Sequence, residues 1–281
     1  MSGNRSETTY TKINTIFKRD INNVIMPFDR LTLPEFEYLR NCKWHYEEKC
    51  DGMNLRILIT SEIDWENDAV KGVSFNIDYR GKSDKADVPE DLKQYMRNHF
   101  PIEKVLNAFN YKSYISKDDF ESYGIKQTSL SPLILNVPKT IVIYGEGYGA
   151  GIQSGGYYRK DKAFIMFDVA IDKHYMSIDV RNDICTKIGA DLVPFIGDMT
   201  IEEAIDYVKK GFKSVIAEEE HNAEGLVLRP LVDLYDKRGN RIITKIKTCD
   251  FSDYFRKYGT YDKVEQIPNP KAKSEWYYGK N

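Results

Sequence analysis

A single lysine at the junction of two β-prone runs constrains this chain more than any other feature. Trp44-His45-Tyr46-Glu47-Glu48 alternates in the manner of a strand, and Lys49 follows it directly. Asp51 and Gly52 then supply turn chemistry. Leu55, Ile57, Leu58 and Ile59 mark a second β-prone run beyond Asn54. The lysine is thus presented on a tight turn that leads into a strand. Gly52 lets the backbone bend sharply there and approach a ligand closely.

Composition narrows the class of protein around that turn. With 281 residues, 41% apolar and 30% charged, the chain can bury a sizeable core as a globular protein. A net charge of −2 excludes a uniformly basic nucleic-acid coat but leaves room for a local basic groove. Cys42, Cys50, Cys185 and Cys249 are scattered, with no CxxC pair and no HExxH helix. That argues against a structural zinc site and for free thiols in a reducing compartment. Residues 1–12 are polar, without the apolar stretch of a signal peptide, and are expected to be flexible or loosely attached. No apolar run approaches the ~20 residues that cross a bilayer. The expectation is a soluble cytoplasmic protein.

The remaining chain reads as interspersed helices and strands. Pro34 opens a short helix through Arg40, and Pro89 to Phe100 is a helix with Leu92, Tyr95 and Met96 on one face. A strand over Leu55 to Thr60 and another over Val70 to Tyr79 flank a polar loop, Ser61 to Ala69. Thr140 to Tyr144 runs as a strand into the glycine-dense Gly145-Glu146-Gly147-Tyr148-Gly149. Ala163 to Ile171 is a nearly continuous apolar run broken by Asp168, the pattern of a buried strand. Thr200-Ile201-Glu202-Glu203 is a capping box opening a helix to about Glu219. Leu226 to Leu228 and Ile242 to Lys247 are strands joined by a turn around Gly239-Asn240. These elements imply an α+β class with antiparallel sheets flanked by helices, organised as one domain over residues 1–281. Residues 248–281 form a short C-terminal extension.

Four stretches carry chemistry, and each has a plainer reading when taken alone. A KxDG match around Lys49 arises by chance in roughly one chain in 20 of this length. Glu146, at a strand end among glycines, could contact a ribose or a metal, or be a solvated acid in a turn. Glu224-Gly225-Leu226-Val227-Leu228-Arg229 places an acid and a glycine ahead of a strand, as an ordinary helix-to-strand turn would. Lys245 and Lys247 stand at i and i+2 of a strand and so share a face. Such lysines also protect exposed sheet edges.

Taken in this order, KxDGxN, GEGYG, EGLVLR and KIK resemble the covalent nucleotidyltransferases, which comprise ATP-dependent RNA ligases, DNA ligases and mRNA capping guanylyltransferases. Phe164-Ile165-Met166-Phe167-Asp168-Val169 is similar to the stretch in which that superfamily stacks a phenylalanine on the nucleobase, with Phe167 at the matching position. Arg80 matches, after a longer spacer, the arginine such ligases place beyond the lysine motif. The resemblance implies an ATP-grasp-like ligase catalytic core. It also implies attack of Lys49 on the α-phosphate of ATP, giving lysyl-AMP. Nucleotide contacts then fall to Lys49, Asn54, Glu146, Phe167, Glu224, Lys245 and Lys247. Glu146 and Glu224 would contact the ribose or hold Mg²⁺ or Mn²⁺, Asp51 would orient the lysine or hold a metal-bound water, and Arg80 would contact the acceptor phosphate. A free lysine is only about 0.04% neutral at pH 7, so neighbouring positive charge from Lys245, Lys247 and a metal would favour the reactive amine.

Asn54 stands where DNA ligases and capping enzymes usually carry arginine, as in RNA ligases related to phage nick-sealing and RNA-editing enzymes. Asp51 departs from the histidine many of those carry. Only 34 residues follow Lys247, so no C-terminal OB-fold is expected. Lys271, Lys273, Trp276, Tyr277, Tyr278 and Lys280 interleave basic and aromatic groups, which could grip single-stranded nucleic acid or form a frayed end. The leading expectation is an RNA ligase joining 5′-phosphate and 3′-hydroxyl ends of RNA, or of DNA. A viral source is a family-level expectation only. The alternatives are a minimal DNA ligase, a guanylyltransferase, and a nucleic-acid end-binding protein that has lost catalysis.

Overall fold

The computed structural model describes residues 8–19, 30–67, 69–122, 137–153 and 158–252. The proposed nucleic-acid grip at 269–281 and the glycines at 155 and 156 lie outside them. The chain divides into two compact units, residues 1–10 with 51–192 and residues 11–50 with 193–281.

The first unit is built on a seven-stranded sheet. Its centre is β3 (Met53–Glu66), paired antiparallel with β4 (Ala69–Gly81) on one side and β6 (Thr140–Gly149) on the other. Beyond β6 lies β7 (Lys162–Ile171), which pairs antiparallel with β8 (His174–Tyr175) and parallel with β9 (Asp191–Leu192), while β5 (Tyr114–Ser116), followed by the short α4 (Asp119–Ser122), pairs with β4. Alternation places Leu55, Ile57, Ile59, Phe75, Ile141, Ile143, Phe164 and Met166 on one face, in one apolar core. That core is closed by α2 (Glu90–His99), α3 (Ile102–Ala108) and α5 (Ile178–Ile188), which contribute Leu92, Met96, Val105, Leu106, Ile184 and Ile188. The other face carries Asn54, Arg56, Asp78, Arg80, Tyr144, Glu146 and Asp168, as the register of the four central strands requires.

Two expectations are corrected here. Ser61 to Ala69 is not a loop: β3 and β4 continue as a hairpin whose pairing reaches Glu66 and Ala69. Gly145 to Gly149 stays within β6, because those glycines let neighbours close in. A Cβ at Gly145 would meet the Phe164 ring at 2.3 Å, and one at Gly147 would meet Leu55 and Leu92 at 2.7 Å.

The second unit has a five-stranded sheet: β1 (Asn14–Thr15), β12 (Thr244–Lys247), β11 (Gly225–Pro230), β2 (Trp44–Glu48) and β10 (Phe195–Met199) in that spatial order. β1 runs parallel to β12, and the other pairs are antiparallel. Trp44, Tyr46, Leu226, Leu228 and Ile246 face a core shared with Phe36, of α1 (Pro34–Tyr38), and with α6 (Ile201–Lys210). Helix α6 opens on the expected capping box, in which Thr200 accepts from the Glu203 N–H and the Glu203 carboxylate accepts from the Thr200 N–H. It stops at Gly211 rather than Glu219, since that glycine has left the helical region at φ +77°. No helix among the described residues is long and apolar enough to cross a membrane.

Candidate active site

Strand β2 delivers Lys49 as the sequence predicts. The Lys49 N–H continues the ladder to the Gly225 carbonyl at 2.9 Å, and Gly225 in turn pairs with Lys247 on β12. Lys49, Gly225 and Lys247 therefore lie side by side across three strands, and directly opposed residues share a face. That face is the one turned away from Trp44, Tyr46 and Ile246. Lys245, opposite Val227, sits one step along it and is half-buried.

The Glu224 carboxylate joins two of these lysines. Its Oε2 lies 2.5 Å from Lys49 Nζ and its Oε1 lies 2.6 Å from Lys247 Nζ, with the Glu224 side chain 15% exposed. Burial works against the Lys247 ammonium, but the hydrogen bond and charge of Glu224 outweigh it. The Lys247 pKa stands above its ordinary value. Gly225 makes this approach possible. Its φ is +151°, and a Cβ there would meet the Ile246 carbonyl at 2.0 Å. The Thr248 N–H anchors the Glu224 carbonyl at 2.9 Å, and Lys49 Nζ also donates to the Cys50 carbonyl at 3.3 Å.

Glu48 points the other way, into the apolar side of the sheet. It is 1% exposed and accepts from Ser214 Oγ at 2.5 Å and the Val215 N–H at 2.7 Å. Burial pushes its carboxyl above the ordinary glutamate range. Strand alternation carried the signal: an acid in phase with Trp44 and Tyr46 falls on the core face. On the Lys49 face, Glu47 and Arg229 form a buried pair at 3.0 Å, and His45 reaches Glu47 at 3.2 Å.

In the first unit the Asp51 N–H donates to Tyr158 Oη at 3.1 Å. Gly52 lies so close to β6 that a Cβ would meet the Gly147 carbonyl at 2.3 Å. Asn54 pairs across β3–β6 with Glu146, so both side chains project from the polar face. Glu146 is therefore a mid-strand residue rather than one at a strand end. Asn54 Oδ1 is buried, and no donor reaches it among the described residues. Arg80, Arg56, Tyr144 and Asp168 form one row across four strands of that face. The Arg80 guanidinium holds Asp78 at 2.6 Å and Asp84 at 3.2 Å. Asp84 also binds the fully buried Arg56 at 2.8 Å, and the Arg56 hydrogen bond holds its carboxyl below the ordinary range. Phe167 is the extra residue of a β-bulge, where register slips between Tyr144 opposite Asp168 and Gly145 opposite Met166. It is half-buried between fully buried neighbours.

Sequence reasoning thus found the residues that carry charge in a motif. It did not single out Arg56, Arg181 and Tyr10, which are buried. Each holds a partner distant in sequence or on another element, which local pattern does not reveal.

The RNA ligase family model matches residues 43–247. The chain is similar in fold to a ligand-free variant of the Naegleria gruberi RNA ligase, at 17% identity and a TM-score of 0.51, covering 90% of this chain and 58% of that one. A variant of the same ligase solved with ATP and Mn matches at 16% identity and a TM-score of 0.51, with the same coverage. This chain thus spans a little under three fifths of the length of each of these two structures. No curated protein sequence matches it. With the matched residues running from just before β2 to the last lysine of β12, the chain belongs to the RNA ligase family.

Proposed function

We propose that this chain is an ATP-dependent RNA ligase acting through lysyl-AMP, with residues 1–281 serving as one nucleotidyltransferase domain. The observation that carries this reading is the single Glu224 carboxylate held between Lys49 and Lys247. Membership of the RNA ligase family and the likeness to a ligase that holds ATP and Mn support it.

In the first step the Lys49 amine bonds to the α-phosphorus of ATP and pyrophosphate leaves. Lys49 must first give up its proton and its contact with Glu224. Lys245 and Lys247, on the same sheet face, neutralise phosphate charge in the transition state. Phe167 stacks on the base, Asn54 contacts the nucleotide, and Asp51 orients the lysine. The AMP then passes to a 5′-phosphate end, whose phosphate Arg80 takes in exchange for Asp78 and Asp84. A 3′-hydroxyl of RNA attacks that phosphate and AMP leaves.

No three His, Cys, Asp or Glu side chains converge on a metal-sized space among the described residues. A Mg²⁺ or Mn²⁺ ion would accordingly be held by a carboxylate, Glu224 or Glu146, together with phosphate oxygens, an ordinary arrangement for Mg²⁺. When bound it neutralises charge on those oxygens.

The test is adduct formation. The purified protein is incubated with α-labelled ATP or GTP and Mg²⁺ and run on a denaturing gel beside Lys49→Ala. Label from ATP that disappears in the variant is expected, followed by sealing of RNA ends in preference to DNA ends. Label from GTP alone would move the assignment to a capping enzyme, and preference for DNA ends to a DNA ligase. No label from either nucleotide, in folded protein free of prior adduct, would leave an end-binding protein.

A further inference from the structure

Phe167 is held by a segment far from it in sequence. Tyr10 is 8% exposed, and its ring stands at 68° to that of Phe167 with centroids 5.0 Å apart. The same ring packs on Tyr144 at 4.9 Å and Tyr175 at 5.8 Å. Its hydroxyl donates at 2.8 Å to Oδ2 of Asp168, which is fully buried and immediately follows Phe167. Two further bonds pin the segment: Arg56 Nη1 donates to Thr8 Oγ1 at 2.8 Å, and Tyr144 Oη donates to the Thr8 carbonyl at 3.0 Å. Residues 8–10 are therefore fastened to β3, β6 and β7 and are not the loose terminus expected of residues 1–12. Helix α5 braces the bulge through its backbone, where Arg181 Nη1 donates to the Phe167 carbonyl at 3.1 Å.

A bulged residue has more backbone freedom than one in a regular ladder, so its ring direction must be set by what touches it. One such contact is an aromatic ring, Tyr10, whose hydroxyl is locked to a buried carboxylate. We propose that Tyr10, fixed by Asp168, is a positioning residue that sets the Phe167 ring for stacking on the base of the nucleotide. The inference rests on the ligase reading above, in which Phe167 takes the base. The Tyr10–Asp168 bond fixes the tilt of the Tyr10 ring, and the Phe167 ring packs against that ring at a steep angle. The strap also couples the N-terminal segment to nucleotide affinity, which nothing in the lysine motif would suggest.

The test measures the rate of labelled-AMP adduct formation against ATP concentration for the wild type, Tyr10→Phe, Tyr10→Ala, Phe167→Ala and Tyr10→Ala/Phe167→Ala. Thermal melts accompany each variant. Tyr10→Phe keeps the ring and removes the hydroxyl that binds Asp168. It should raise the half-saturating ATP concentration about threefold, and Tyr10→Ala about tenfold, with the saturating rate kept within twofold. The double variant should bind ATP no worse than Phe167→Ala, because Tyr10 acts through that ring. Unchanged ATP dependence in both Tyr10 variants would overturn the proposal. So would additive losses in the double variant, or a fall in the saturating rate that tracks the melting temperature. Those outcomes leave the wild-type adduct intact. A wild type that forms no adduct would instead overturn the ligase reading, and this inference with it.

Discussion

Glu224 faces two amines with one carboxylate, and a charge-neutral replacement separates its roles. Glu224→Gln keeps the shape but loses the charge that binds Lys49 and Lys247. On the proposed ligase reading, we expect adduct formation to fall about 100-fold, measured as labelled-AMP transfer to Lys49. Glu48, its near neighbour in the ladder, should behave oppositely. Its folded pKa is raised by burial, so the folded chain binds that proton more tightly than the unfolded chain. The contribution to stability is complete below the ordinary glutamate value, about 4.3, and is lost as pH rises through the raised value. Glu48→Gln should flatten the decline in urea midpoint as pH rises above the ordinary glutamate value, without changing which nucleotide is used. An unaltered slope would show that another group sets it.

Elements differ in how much of their form is local. The start of α6 is local: Thr200 and Glu203 are three apart and cap each other. Thr200→Ala should cost about 1 kcal/mol in denaturant unfolding and leave the ATP dependence of adduct formation unchanged. The entry to β11 is not local. Gly225 adopts a positive φ and lies against the Ile246 backbone. Gly225→Ala should cost about 1–3 kcal/mol and also displace Glu224, so adduct formation falls with stability. The same division explains which elements were legible in the sequence. Helices α1 and α2 announced themselves by proline at the first turn and by apolar spacing. Helix α5 went unread because the buried Arg181 interrupts its stripe of Ile184, Cys185 and Ile188, and the outer β3–β4 hairpin because Glu62, Asp64 and Glu66 alternate with its apolar residues. Their partners are on the other strand or the sheet, and a short window along the chain does not contain them.

At the scale of the whole molecule, the chain leaves the second unit after Cys50 and returns to it at Val193. Among the described residues, the main apolar cluster of the first unit comes from the stretch 51–192, whereas β2 finds both its partner strands, β10 and β11, beyond residue 192. A fragment of residues 1–192 should keep slow amide exchange in β3, β6 and β7 and lose it in Trp44–Glu48. Protection of β2 in that fragment would contradict the division. By itself the sequence determined the α+β class, the strand that delivers Lys49, and the shared face of Lys245 and Lys247, because these follow from alternation and turn chemistry within a few residues. Only the tertiary structure decided that Glu224 would bridge Lys49 and Lys247, that Phe167 would stand at a bulge, and that Tyr10 would brace it. Those contacts depend on strand register and on bonds between residues more than a hundred positions apart, which neither composition nor periodicity encodes.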